Sequence, residues 1–151
     1  MTDIPRNVRP GRADRIFNST VIGLTKLGIS VWGSRVLRVR GRSSGEWRTN
    51  PVNLLTYQGE KYLVAPRGHV QWVRNLRVAG NGELLVGRRV QPFTATELAD
   101  EQKPELLRAY LKRWKFEVGR FFNGVGPDAS DQELLAIASG YPVFRLAIGK
   151  R

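Results

Sequence analysis

From Val36 to Glu97 a turn signal interrupts the sequence every few residues, and no single periodicity runs for long. Val36-Leu37-Arg38-Val39-Arg40 alternates into a turn from Gly41 to Gly45. Arg48 to Tyr57 is a second extended run, in which Pro51 suits an edge or a strand's start. Gln58-Gly59 reverses the chain, Lys61 to Ala65 returns as a third strand, and Pro66-Arg67-Gly68 ends it. Gln71 to Ala79 has helical spacing, with Trp72, Leu76 and Ala79 on one side. Asn81-Gly82 has the chemistry of a hairpin turn, leading into Glu83–Val86 and Val90–Glu97. A helix follows Pro104, with Leu106, Leu107, Tyr110, Leu111 and Trp114 along one face; Phe116 to Phe122 either extends it or packs separately. Asp131 can cap a short helix to Ser139, and Pro142 to Ile148 closes as a strand. Five or six short strands with few helices predict an α+β protein built on a small antiparallel barrel with peripheral helices. Strands and helices do not alternate as a dinucleotide-binding sheet requires.

A length of 151 residues suits one domain. Residues 1–13 read as a basic tail, and 14–151 as one barrel domain opened by an amphipathic helix over 14–32. In that helix Ile16, Phe17, Val21, Leu24, Leu27 and Ile29 recur at helical steps. Lys26 breaks the apolar run, well short of the roughly 20 residues that span a bilayer, and it counts against a secretion signal. The helix either packs on the domain or lies on an anionic membrane surface. The expected location is the cytoplasm, with the cytoplasmic face of a membrane as the contact if the helix is interfacial.

The net charge is +12, and residues 1–50 hold ten basic against three acidic side chains. Nineteen of the twenty-five cations are Arg, whose planar fork grips phosphate and carboxylate with two hydrogen bonds. Such a field attracts anions: nucleic acid, anionic lipid or a phosphorylated cofactor. With no Cys and one His, disulfides, thiolate metal sites, a Cys nucleophile and a His-rich metal centre are excluded. A Ser-His-Asp hydrolase and a G-x-x-x-x-G-K-S/T phosphate loop find no support. His69 either lines a site or is an ordinary hydrogen-bonded loop residue, and Asp128 and Asp131 read as loop and cap.

What remains is Gly41-Arg42-Ser43-Ser44-Gly45-Glu46-Trp47-Arg48-Thr49-Asn50-Pro51. Between two strands, its glycines, hydroxyls and two arginines make either an anion cradle or a polar hairpin with solvated arginines. Leu63-Val64-Ala65-Pro66-Arg67-Gly68 and Trp72-Val73-Arg74-Asn75-Leu76 follow in order. Together they resemble the deazaflavin-dependent nitroreductase and quinone reductase family. Its pattern is G-R-x-S/T-G-x-x-R-x-x-P, then a strand ending in a small-residue turn with a basic residue and Gly, then W-x-x-N-L. The similarity runs from Val39 to Glu97, and Tyr141 to Leu146 looks like that family's last strand.

The resemblance implies a flavin-binding type of split β-barrel holding reduced coenzyme F-420, an 8-hydroxy-5-deazaflavin with an anionic phosphodiester and oligoglutamate tail. By carry-over, Arg42, Ser43 and Ser44 meet tail and phosphate, and Arg48, Thr49 and Asn50 line the same groove. Val64, Ala65 and Pro66 face the ring with Arg67 and Gly68 beside them, while Trp72 and Asn75 close the phosphate side. Trp72 is equally readable as a core anchor. This chain departs from the pattern in its short Gly68-His69-Val70-Gln71-Trp72 loop, and Trp114 to Ala138 has no counterpart. Tyr110 and Tyr141 are therefore only position-blind candidates for a proton donor. The implied reaction moves a hydride from the reduced coenzyme to a small quinone, nitro or enone acceptor. The rivals are the same barrel holding flavin mononucleotide, haem or a fatty acid, and a basic nucleic-acid-binding domain. The oligomeric state is left open between a monomer and a homodimer, since related barrels often pair.

Overall fold

A computed structural model of the protein describes residues 34–149 except Asn123, without the side chains of Phe116 and Glu117. The basic tail over 1–13 and the amphipathic helix over 14–32 lie outside the described residues. The strands are β1 (Ser34–Arg40), β2 (Trp47–Tyr57), β3 (Glu60–Val64), β4 (Asn81–Val86), β5 (Arg89–Glu97) and β6 (Val143–Ile148). Helix α1 (Gln71–Ala79) joins β3 to β4, while α2 (Pro104–Val118) and α3 (Asp131–Ile137) lie between β5 and β6. The strands close into a barrel in the order β1-β2-β3-β6-β5-β4, with β4 returning to β1 and every pairing antiparallel. The expected α+β class and small antiparallel barrel are what the chain forms.

Three apolar doublets explain how the barrel holds a core on both of its faces. Leu54, Leu63 and Phe144 belong to the interior cluster, whereas their neighbours Leu55, Val64 and Val143 belong to an outer one. Because successive strand side chains point to opposite faces, each doublet supplies one residue to either cluster. Leu54 is in register with Leu63, and Leu63 with Phe144, so the interior members form one row across three strands. Helix α1 adds Trp72, Val73 and Leu76 to the interior cluster. Helices α2 and α3 cover the outer face with Leu107, Tyr110, Leu111, Trp114 and Leu134, each at most 1% exposed.

Local signals set the boundaries, with two revisions to the sequence reading. Gly80 ends α1 in the left-handed region (φ 72°) and its N–H reaches Leu76 O at 2.8 Å, a common helix stop. That reversal puts Asn81-Gly82 inside β4 and not in a turn. Gly82 faces Phe93 in register, and a Cβ there would come within 2.8 Å of Arg38 O and 2.9 Å of Phe93 Cζ. The second revision concerns the cap of α3, which is Ser130 and not Asp131. Ser130 Oγ accepts from Glu133 N at 3.1 Å, and Glu133 Oε1 accepts from Ser130 N in return, a reciprocal capping box. Asp131 follows it in the first turn and pairs with Arg108.

Pro51 lies opposite Val36 in the middle of β2. On the other side β2 meets β3 only from Leu54 onward, and a residue lacking an N–H costs least where one side of a strand has no partner. Helix α2 bends at Trp114 (φ −123°, ψ 22°), runs on to Val118, and passes into a 3-10 turn over Gly119–Phe121. Another 3-10 turn, Ala138–Gly140, precedes β6. Lys103 is buried there, with Nζ donating to Asp100 Oδ1 at 2.7 Å and to Ala138 O at 2.9 Å. Gly82→Ala is expected to lower the free energy of unfolding by about 1–3 kcal/mol, the usual cost of overpacking. Urea denaturation reads this directly, and an unchanged midpoint would show that β1 and Phe93 yield without strain.

Candidate functional site

The β1–β2 connection is a tight turn held by its own backbone. Gly41 N–H donates to Glu46 O at 2.8 Å and Gly45 N–H to Gly41 O at 2.9 Å. Gly45 adopts φ 72°, which glycine reaches without steric cost. Ser44 Oγ accepts from Glu46 N at 3.2 Å, leaving its own hydroxyl proton to donate elsewhere. The turn is then fastened to α1: Arg42 donates its backbone N–H at 3.1 Å and its Nη1 at 2.8 Å to Asn75 Oδ1. Asn75 is 5% exposed, so this acceptor is fixed by burial as well as by its two donors.

A trough of about 600 Å³ opens between the turn, the start of β2 and α1. Arg42, Ser43, Ser44, Arg48, Thr49, Asn50 and Asn75 all line it, joined by Gly41, Trp47 and Gln71. Seven of the carried-over residues therefore meet on one surface. No acid is among the lining residues. Four cations elsewhere are paired with acids: Arg38 with Glu83, Arg77 with Glu97, Lys103 with Asp100, and Arg108 with Asp131. Glu97, acting first through its hydrogen bond and then through its charge, holds Arg77 above its ordinary range. Among the described residues, neither Arg42 nor Arg48 has a carboxylate partner. Two guanidiniums facing a shared, acid-free space form a site for phosphate or carboxylate.

Two other cavities have different chemistry. One of about 390 Å³ is lined by Tyr57, Tyr62, Glu101, Glu105, Asp131 and Arg145, an acid-rich surface that repels anions. In it Tyr57 Oη donates to Glu105 Oε2 at 3.1 Å, and that bond raises the tyrosine's pKa above its ordinary value. The other, about 590 Å³, lies beyond Trp47 and is mostly apolar, with Pro92, Phe93 and Ile148 in its walls.

The remaining carried-over residues do not line the trough. Val64 and Ala65 are buried, Ala65 N–H donates to Pro142 O at 2.9 Å, and Gly68 (φ 90°) donates to Ala65 O at 3.1 Å. The Arg67 guanidinium lies 4.9 Å from the centroid of the Phe121 ring, and Pro66 completes this separate turn. Trp72 is 9% exposed and packs against Phe144 with ring centroids 6.2 Å apart, the arrangement of a core anchor. Tyr110 is enclosed by Trp114 and Phe122. Tyr141 stacks on Phe122 at 4.3 Å and donates its hydroxyl to Phe121 O. Neither tyrosine lines the trough. His69 places Nε2 2.9 Å from Ser139 O, while its Nδ1 is buried without a partner among the described residues.

Trp47 is one of three wall residues, with Gly41 and Gln71, that sequence reading left out of the site. The guanidiniums of Arg38 and Arg40 sit 4.6 and 4.2 Å from its ring centroid, and Arg40 is in register with it across the β1–β2 pair. The available signal was the alternation of Arg38 and Arg40 on one strand, with a tryptophan opening the next. Among the described residues no group of three or more His, Cys, Asp or Glu could hold a metal ion, and no helix is long and apolar enough to cross a membrane.

Solved structures share the fold at low identity. One described as a domain-swapped dimer is 17% identical with a TM-score of 0.56, covering 90% of this chain and 94% of its own. An F420-H2 dependent reductase is 19% identical with a TM-score of 0.54, covering 76% and 94%. A conserved hypothetical protein from Mycobacterium tuberculosis is 14% identical with a TM-score of 0.51, covering 99% and 87%. No curated protein is similar enough in sequence to count as a match. The family model for F420H(2)-dependent quinone reductase matches residues 15–117, more than half of the 151. With the family model matched over that length, the chain belongs to the F420H(2)-dependent quinone reductase family.

Proposed function

We propose that the chain passes a hydride from reduced coenzyme F-420 to a small quinone, nitro or enone acceptor, gripping the coenzyme's anionic part in the arginine trough. The observation that carries this reading is the pair Arg42 and Arg48, two guanidiniums without carboxylate partners among the described residues, in a trough whose described lining contains no acid. Binding an anion there needs no existing ion pair to break, so the Coulombic gain is not offset by a lost partner. The donor set fits the group. Arg42 and Arg48 supply charge-assisted bonds, Ser43 and Ser44 supply hydroxyl donors, and Thr49 and Asn50 extend the same wall.

The reduced coenzyme, when bound, supplies the hydride from its own ring carbon. The protein's part is to orient and to exclude water. Asn75 keeps Arg42 aimed by accepting from both its backbone and its side chain. Trp72, packed on Phe144, supports the helix that carries Asn75. The turn from Val64 to Pro66, with Arg67 and Gly68, is the backbone assigned to the ring; Val64, Ala65 and Gly68 are buried in it, and Pro66 and Arg67 are half-buried. Water can deliver the following proton, so no general acid is required of a chain whose two candidate tyrosines, Tyr110 and Tyr141, are enclosed elsewhere. The domain assignment, 14–151 as one unit behind a basic tail, and pairing into a homodimer belong to the same proposal.

Titrating the protein with oxidised coenzyme at moderate salt, read by deazaflavin fluorescence, tests the reading. Arg42→Ala and Arg48→Ala should each weaken binding by about 1.5–3 kcal/mol, the range for a hydrogen bond to a charged group. Arg88→Ala, on the exposed β4–β5 hairpin, should change it little. Equal affinity for flavin mononucleotide or for duplex DNA would overturn the assignment. Asn75→Ala makes a separate prediction. It should weaken binding at least as much as Arg42→Ala, because it releases the turn as well as the side chain. Loss confined to thermal stability, with affinity intact, would show that Asn75 serves packing alone.

A further inference from the structure

The turn between β3 and α1 is fastened to the C-terminal layer in a way the trough does not explain. Gly68 at its centre adopts φ 90° and has no side chain to hold it. The residues around it carry the fastenings. Ala65 N–H donates to Pro142 O at 2.9 Å, the Arg67 guanidinium lies over Phe121, and His69 Nε2 meets Ser139 O at 2.9 Å. Arg74 Nε then donates to the His69 carbonyl at 3.0 Å, tying the same residue to α1. The anchor on the far side is firm. Ser139 sits in the Ala138–Gly140 turn, whose first carbonyl accepts from the buried Lys103 Nζ at 2.9 Å and from Tyr141 N at 3.0 Å.

We infer that His69 is a positioning residue: its Nε2–H to Ser139 O sets the turn of Ala65 to Gly68 that presents its backbone to the redox ring. This rests on the proposed placement of Val64 to Pro66 against that ring. A carbonyl oxygen can only accept, so Nε2 carries a proton and donates it to Ser139 O. Nδ1 is buried and has no hydrogen-bond partner among the described residues. The loop runs Gly68-His69-Val70-Gln71-Trp72, and the clasp cross-links it to the helical layer through Ser139.

Gln places an amide nitrogen the same number of bonds from Cα as His Nε2, so His69→Gln preserves the donor and omits the buried Nδ1. His69→Ala removes the donor, and His69→Asn leaves it one bond short. Amide hydrogen exchange over 65–70 is measured on the full chain without coenzyme, together with steady-state reduction of a benzoquinone by reduced coenzyme F-420. Exchange of the Gly68 and Val70 amides should quicken about tenfold or more in His69→Ala and in His69→Asn, and stay near wild type in His69→Gln. The kcat should fall about 10-fold or more in the first two, as small displacements of a reacting geometry do, and recover in His69→Gln. KM for the coenzyme should stay within about twofold, because Arg42 and Arg48 are untouched. If His69→Ala fails to fold, His69→Asn against His69→Gln carries the same comparison.

Unchanged exchange in both His69→Ala and His69→Asn, or His69→Gln as impaired as they are, overturns the clasp. Quickened exchange with unchanged kcat overturns its role in the reaction. Wild-type protein that shows the expected exchange pattern but binds no coenzyme overturns the functional reading and leaves the clasp standing, so the two failures are distinguishable.

Discussion

One side-chain oxygen organises the candidate site. Asn75 Oδ1 takes two hydrogen bonds from Arg42, one from the main chain and one from the guanidinium, and so locks a turn of the barrel to a helix that is distant in sequence. The bonds are useful because Asn75 is buried: in a low-dielectric setting, a satisfied acceptor with two donors has few alternatives. The burial comes from the neighbours of Asn75 on α1, Trp72, Val73 and Leu76, which pack into the barrel interior. The chain of dependence runs from apolar helix face to fixed amide to aimed guanidinium. If the helix shifted, the trough would lose its shape before it lost its charge.

The electrostatics follow from the same frame. A chain with net charge +12 can neutralise only some of its cations internally, and the placement of the acids selects which. Glu83, Glu97, Asp100 and Asp131 each take a partner on strands or helices away from the trough. Arg38 illustrates the division. It is paired with Glu83 and also stacked on Trp47, so it stiffens the wall without adding an uncompensated charge. Arg42 and Arg48 keep theirs. Exposed ion pairs contribute little to stability, so leaving these two unpaired gives up little fold energy and preserves an anion site.

Much of the fold was legible because its signals are local. Alternation, glycine turns and Pro104 at a helix start act within a few residues, and the strands and helices over 34–149 fall close to where those signals put them. The misread positions are those where a distant partner decides. Asn81-Gly82 has turn chemistry, yet Gly80 reverses the chain first, and Gly82 is needed small because Arg38 and Phe93 crowd it from other strands. Asp131 looked like a cap, but Ser130 with Glu133 satisfies the helix end better. The doublets Leu54-Leu55, Leu63-Val64 and Val143-Phe144 read simply as apolar, since only barrel closure shows that both faces are covered.

The site divides along the same line. Residues 42–50 lie in one turn and strand, so their joint use could be read from spacing, and the trough unites them. Asn75 joined them only through the family resemblance, and its bond to Arg42 gives the physical reason for its place beside the turn. Trp47 was visible as an aromatic among arginines, but its role as a wall depends on Arg40 facing it across the register. Trp72 had two readings, and the packing on Phe144 selects the core, which makes it the support of Asn75 three residues along the same helix. The W-x-x-N spacing thus separates two tasks that one helical face can carry together: the tryptophan anchors the helix in the interior, and the asparagine, one turn on, presents a fixed acceptor to the cationic turn.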